Sequence, residues 1–209
     1  LHLTGRDVSR LQAIATETGA TFTVGDVLDQ GFIASAVLEA GPVLDGLAYC
    51  AGTINLKPLA RLTDEDFRHD HAVNALGAVQ TIQAALPALK AASGTASILL
   101  FSSIAVAQGF VSHASISMAK GAIEGLTRAL SAELAPKIRV NAIAPSLTDT
   151  PLAKAITGNA AIAQGIAALH AIPRLGEADD IAAMGALLLS DKSGWITGQV
   201  IAVDGGRSR

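Results

Sequence analysis

Residues 96–145 read ASILLFSSIAVAQGFVSHASISMAKGAIEGLTRALSAELAPKIRVNAIAP, and this stretch decides the fold. Ser97 to Phe101 is a short run of large apolar residues, which predicts a buried strand. Ser112 to Leu134 carries apolar residues at helical spacing, and Ile138 to Ile143 is a second strand-like run. Two buried strands joined by a helix of that length lie parallel, with a right-handed crossover.

The same alternation continues on both sides. Leu1 to Thr4, Thr21 to Val24 and Val43 to Tyr49 read as strands, with helices at Val8 to Thr18 and Gly31 to Ala40. Thr63 followed by Asp66 has the form of a capping box and opens a helix running toward Leu89. On that helix Phe67, His71, Asn74 and Ala78 share a face. Beyond Pro145 come a looser helical segment from Thr150 to Leu169, a helix at Ala178 to Leu189 and a strand at Val200 to Val203. The pattern predicts one domain over residues 1–209, a doubly wound α/β fold of the Rossmann type with a parallel sheet between two helical layers. Ligands of such sheets sit beyond the carboxyl ends of the strands. Here those ends are Gly5-Arg6, Asp26, Cys50-Ala51-Gly52, Ser102-Ser103 and Ala144-Pro145-Ser146.

Half of the 209 residues are apolar but only 3% are aromatic, so the core must be built from Ala, Leu, Ile and Val. A net charge of −3 offers no basic face to nucleic acid or anionic lipid. The apolar run from Ala96 to Ala107 is interrupted by Ser97, Ser102 and Ser103 and is too short to cross a bilayer. The expectation is a cytoplasmic protein without nucleic-acid or membrane partners. Cys50 is the only cysteine, which excludes an internal disulfide. His69 and His71 flank Asp70, but helix positions two apart diverge by about 200°, so no metal site is expected there or elsewhere. Asp179-Asp180 reads as charge placed at a helix start.

One expected element is missing. No Gly-x-Gly-x-x-Gly or Gly-x-x-x-Gly-x-Gly string occurs, although a dinucleotide fold opens with such a turn. The chain starts where the second strand of that fold would lie. The first βα unit is therefore expected to be absent from this chain, with roughly 30 upstream residues in the source protein.

Several strings resemble the short-chain dehydrogenase/reductase family, in order and over essentially the whole length. Cys50-Ala51-Gly52 resembles its Asn-Ala-Gly turn, Val73-Asn74 its Val-Asn pair, and Lys120-Gly121-Ala122 the lysine of Tyr-x-x-x-Lys with its sequel. Ile138 to Pro145 resembles Ile-Arg-Val-Asn-x-Ile-x-Pro, and Ile196 to Gln199 with Val203 to Gly206 resembles the closing segment. Ser103 stands 13 positions before Ile116, the family's separation of serine and tyrosine. The resemblance implies that Ser103 holds a substrate carbonyl, that Lys120 binds the cofactor ribose, and that Asn74 supports a water relay. It also implies a homodimer or homotetramer.

Cofactor choice turns on Arg6. NAD-preferring relatives end their second strand in an acidic residue, whereas here Gly5 takes that place and Arg6 follows. A guanidinium clamps a 2′-phosphate, so NADP is expected in preference to NAD. Asp26-Val27 resembles the pair beside the adenine. Pro145, Ser146, Thr148 and Thr150 align with the segment bordering the nicotinamide, with Ser146 replacing the usual glycine.

The family's tyrosine is absent, because the residue four before Lys120 is Ile116. His113, Ser117 and Lys120 fall on one helical face with it, and His113 is the best acid among them because an imidazole ordinarily titrates near neutrality. These residues predict an NADP(H)-dependent oxidoreductase acting on a small carbonyl or alcohol, with Ser103, Lys120, Asn74 and His113 as its catalytic groups. Two alternatives stand beside it: a cofactor-binding or structural pseudo-enzyme of the same fold, and a truncated chain that binds no nucleotide.

Overall fold

The computed structural model describes all residues, Leu1–Arg209. In chain order the elements are β1 (His2–Gly5), α1 (Val8–Thr18), β2 (Thr21–Val24), α2 (Phe32–Ala40), β3 (Gly46–Ala48), α3 (Asp64–His71) and α4 (Gly77–Lys90). They continue with β4 (Ala96–Phe101), α5 (Ala105–Gln108), α6 (Ala114–Leu134), β5 (Ile138–Pro145), α7 (Lys154–Thr157), α8 (Ala160–Ala167), α9 (Ala178–Leu189) and β6 (Val200–Val203). A π-helical turn, Ala72–Leu76, joins α3 to α4. All strand pairs are parallel, as the alternation requires.

The core follows from alternation along β4. Ile98 and Leu100 point to one face, where they meet Ile82, Ala85 and Leu89 of α4 and Ile123 of α6. Leu99 points to the other and packs with Ile143 and with Leu188 of α9. Alanines let the helices and the sheet approach closely: Ala85 of α4, Ala119 of α6 and Ala96 of β4 have no exposed surface at all. In-chain packing thus already accounts for these alanines.

The parallel strands form two ladders, β1–β2 and β3–β4–β5–β6, with none joining β1 to β3, the gap expected where the first βα unit of such a fold is absent. Each of those strands keeps one edge without a backbone partner, while α2 ties the smaller sheet to the larger one by packing on α4. β3 is correspondingly shorter than its apolar run of 43–49, since only β4 pairs with it. The capping box at Thr63 and Asp66 forms as expected. A second box, Glu177 with Asp180, starts α9, where Asp180 also holds Arg174 through two bonds of 2.6 and 2.8 Å. Helix α6 starts two residues later than its sequence pattern, because Ser112 has φ of +65° and breaks the helical run. The helical stretch Asp64–Lys90 is long and apolar enough to cross a membrane, but half of its most apolar part is buried against the rest of the protein.

Two motif residues prove structural. Arg139 and Asn141 are buried on β5. Arg139 donates to the Leu188, Ser190 and Ile196 carbonyls, and Asn141 donates to Ile196 and accepts from the Gln199 backbone. They bind the end of α9 and the segment before β6 to the central strand.

Candidate active site

Asn74 owes its position to a tyrosine and a glycine. Tyr49, just past β3, is buried and donates its phenol hydrogen to the Val73 carbonyl at 2.6 Å. Gly77 makes room, since a Cβ there would lie 2.2 Å from that phenol oxygen. The helix widens around the contact into the π turn, and such turns recur at functional sites. Burial pushes the Tyr49 hydroxyl well above its ordinary range, so it serves here as a fixed donor.

Within the π turn Asn74 is buried, with its amide nitrogen donating to Thr53 Oγ1 and to the Asp70 carbonyl, both at 2.8 Å. Its oxygen faces Gly52. A Cβ on Gly52 would meet Asn74 Oδ1 at 3.0 Å and Lys120 Nζ at 3.5 Å, so both polar atoms converge on one point that only glycine leaves open.

Lys120 reaches this point from the second turn of α6. Its ammonium donates to the Phe101 carbonyl at 2.9 Å, at the end of β4, and burial lowers its pKa from 10.5 to about 8. Ser102 secures the helix to the strand by donating to Glu124 at 2.9 Å. Ser103, the next residue, accepts from the Ala105 backbone N–H at 3.2 Å, which leaves its own hydroxyl hydrogen free. Asn74, Lys120 and Ser103 therefore stand at the carboxyl ends of β3 and β4, on one rim of the sheet.

The other expected residues distribute along that rim. Arg6, past β1, pairs with Asp26, past β2, at 3.1 Å, and Val27 follows. Cys50 and Ala51 follow Tyr49. Past β5, the Pro145 carbonyl accepts from Ile104 N at 3.2 Å, which draws Ser146 toward the Ser103 segment. Thr148 bridges to Gly176, and Thr150 caps a short 3-10 turn at Pro151–Ala153. This set offers a charged pair at one end of the rim and a lysine, an amide and hydroxyls at the other, the donors and acceptors with which a dinucleotide can be held. The glycine-rich pyrophosphate turn is not part of it.

His113 lies outside α6 as its N-cap. The ring is turned toward Phe110, and Nδ1 sits 2.8 Å from the Val111 carbonyl. It thus does not continue the helical face of Ile116 and Lys120. Ile116 itself is buried. No group of three metal-ligating residues occurs, and His69 is exposed while His71 is half-buried.

Sequence reasoning missed two buried polar groups. Asp70 is wholly buried, and accepts from Thr53 Oγ1 and from Ser115 Oγ, both at 2.6 Å. It lies four residues before Asn74, hence on the same helical face, and that spacing was the available signal. His170 is also buried. It bonds Ser146 Oγ at 2.8 Å beside a cleft of about 200 Å³, and no local pattern announces it.

A family model described as enoyl-(acyl carrier protein) reductase matches residues 2–208. The chain is 34% identical to L-2,3-butanediol dehydrogenase of Corynebacterium glutamicum over 205 residues, 92% of this chain and 80% of that protein. Two Arabidopsis thaliana relatives align over only 52% and 50% of their own lengths. Among solved structures, a short-chain type dehydrogenase/reductase from Mycobacterium ulcerans superposes with a TM-score of 0.90 and 29% identity, covering 99% of this chain and 80% of that one. A gluconate 5-dehydrogenase from Burkholderia cenocepacia, solved with NADP and tartrate, gives 0.89 and 25%, covering 99% and 84%.

Proposed function

The chain belongs to the short-chain dehydrogenase/reductase family and is an oxidoreductase, and from that premise we propose that it uses NADP(H) to interconvert a small carbonyl with its alcohol. The observation that carries this reading is the convergence of Lys120 Nζ and Asn74 Oδ1 on Gly52 beside the free Ser103 hydroxyl. A bound nicotinamide dinucleotide supplies or accepts the hydride.

The protein's own groups do the rest. Lys120, charged below pH about 8, has one protein acceptor and further N–H groups to offer to ribose hydroxyls. Arg6 exchanges its exposed partner Asp26 for a 2′-phosphate, while Asp26 and Val27 border the adenine. Cys50, Ala51 and Gly52 let the cofactor approach the strand ends. Pro145, Ser146, Thr148 and Thr150 flank the nicotinamide. The Ser103 hydroxyl donates to the carbonyl oxygen as charge develops on it. Ile116 holds no proton, so the proton comes from His113 through its Nε2, or from an ordered water. The relation to butanediol dehydrogenase favours a small vicinal hydroxyketone or diketone, and a homo-oligomer is the assembly the family implies.

The test is NADPH oxidation over a panel of small diketones and hydroxyketones, with NADH in parallel. Turnover of at least one substrate, faster with NADPH, is expected. Failure of every carbonyl with both cofactors would reject the proposal. Turnover by His113→Gln at the wild-type rate would leave water as the proton source.

A further inference from the structure

We propose that Asp70 is a positioning residue of this site: its carboxylate ties the Asn74 segment to the turn at Thr53 and to the start of α6. The inference rests on the functional reading of Lys120 and Asn74 given above. It starts from an accounting of hydrogens.

Asp70 has no exposed surface and no cationic partner, and each carboxylate oxygen instead accepts from one hydroxyl at 2.6 Å. An ionised carboxylate donates nothing, so Thr53 and Ser115 must both aim their single hydrogens at it. For Ser115 the alternative acceptor, the Asp66 carbonyl, lies farther away at 3.3 Å. Once Thr53 has given its hydrogen to Asp70, its oxygen can only accept. The Asn74 group facing it at 2.8 Å must then be the NH₂, whose second hydrogen goes to the Asp70 carbonyl. The carbonyl end of Asn74 is left facing Gly52 and Lys120, and it accepts from the Thr53 backbone N–H at 3.4 Å.

An asparagine amide is nearly symmetric in shape, and its orientation follows from its donors and acceptors alone. Here the backbone already favours one orientation, since the Asp70 carbonyl takes the NH₂ and the Thr53 N–H faces the oxygen, and the Asp70 carboxylate adds to it by committing the Thr53 hydroxyl hydrogen. The other arm of Asp70 holds Ser115, in the first turn of α6, one residue before Ile116 and five before Lys120. One carboxylate therefore registers the turn after β3, the π turn and the lysine-bearing helix against each other.

Thr53→Val removes the hydroxyl while keeping the shape, and Asp70→Asn removes the charge. Each should weaken NADPH binding about tenfold by fluorescence titration, the equivalent of one charge-assisted hydrogen bond. The double variant should be no weaker than the weaker single one, because both act through the same amide. Thr53→Ser should restore wild-type affinity. A second readout needs no cofactor: the Asn74 side-chain NH₂ resonances, identified by their loss in Asn74→Asp, should shift in Asp70→Asn and in Ser115→Ala, which removes a donor to Asp70 without touching Asn74. Should Asp70→Asn fail to fold, Ser115→Ala carries the test. Unshifted resonances in folded Ser115→Ala would overturn the proposal. If the wild-type protein binds neither NADPH nor NADH, the functional reading fails, and the amide resonances still decide the role of Asp70.

Discussion

Lys120 Nζ lies 2.9 Å from the Phe101 carbonyl, and this contact sets an ammonium against the end of the central strand. Burial lowers its pKa from 10.5 to about 8, which costs the folded state on the order of 3 kcal/mol while the lysine is charged. Below pH 8 both folded and unfolded chains carry the proton and the penalty is complete. Between about 8 and 10.5 the unfolded chain binds more protons, so this contribution makes stability rise with pH. Lys120→Met should therefore unfold at higher denaturant concentration than wild type at pH 7. The gap should close toward pH 10.5. NADPH affinity should move the other way, falling in the wild type above pH about 8 and being lost in the variant at every pH. A variant no more stable than wild type at pH 7 would contradict the account.

Gly52 leaves open the point where Asn74 and Lys120 meet. A methyl group there would stand 3.0 Å from Asn74 Oδ1, so the amide must give by a few tenths of an ångström. Gly52→Ala should keep the melting temperature within a few degrees and weaken NADPH binding at least about tenfold, roughly 1.4 kcal/mol. Unchanged binding would mean that this point lies outside the cofactor site.

Arg6 and Asp26 are paired at 3.1 Å, but the arginine side chain is 80% exposed. Such pairs contribute about 0–1 kcal/mol, so little opposes a phosphate that takes the guanidinium for itself. Arg6→Ala should weaken NADPH about tenfold and leave NADH within about twofold. Equal losses for both nucleotides would assign Arg6 a role other than reading the 2′-phosphate.

Ile116 occupies the position four residues before Lys120 and is buried. Ile116→Tyr would bring a phenol to that position, at a packing cost of about 1–3 kcal/mol. General acid catalysis is worth roughly 100-fold to 10,000-fold, so turnover of an accepted carbonyl should rise at least about tenfold. A folded variant with unchanged turnover would show that proton transfer does not limit the rate.

The parts of this molecule that were legible in the sequence are those whose cause is local. The strands Thr21–Val24 and Val200–Val203 and the helix Val8–Thr18 coincide with their apolar patterns, and the Thr63 box needs only a threonine and an acid three residues on. The strand-end motifs placed Asn74, Ser103 and Lys120 on one rim. What stayed hidden depends on partners distant in sequence. The π turn sits where Tyr49 reaches the Val73 carbonyl from 24 residues away. The weight of Asp70 depends on hydroxyls 17 and 45 residues away. His113 looked like a member of the α6 face because helical periodicity cannot show that Ser112 turns left-handed just before it.

Arg139 and its three carbonyl partners provide the test of structure independent of chemistry. Arg139 is 6% exposed, and its guanidinium donates to Leu188 and Ser190 at the end of α9 at 3.0 Å, and to Ile196 at 3.3 Å. Those helix-terminal carbonyls have no intrahelical donors, and a cation beside them also meets the negative end of the helix dipole. Arg139→Met keeps the length of the side chain but removes three hydrogen bonds to carbonyls that retain only their partners Ser97, Ser193 and Asn141, each bond worth about 1 kcal/mol. A loss of about 3 kcal/mol corresponds to a melting temperature lower by roughly 6–12 °C for a chain of this size. Because Arg139 lies at the start of β5, at the opposite end of the strands from the rim that carries the site, NADPH affinity measured well below the transition should be unaffected. A large loss of affinity in a variant that is still folded would mean that α9 supports the cofactor site directly.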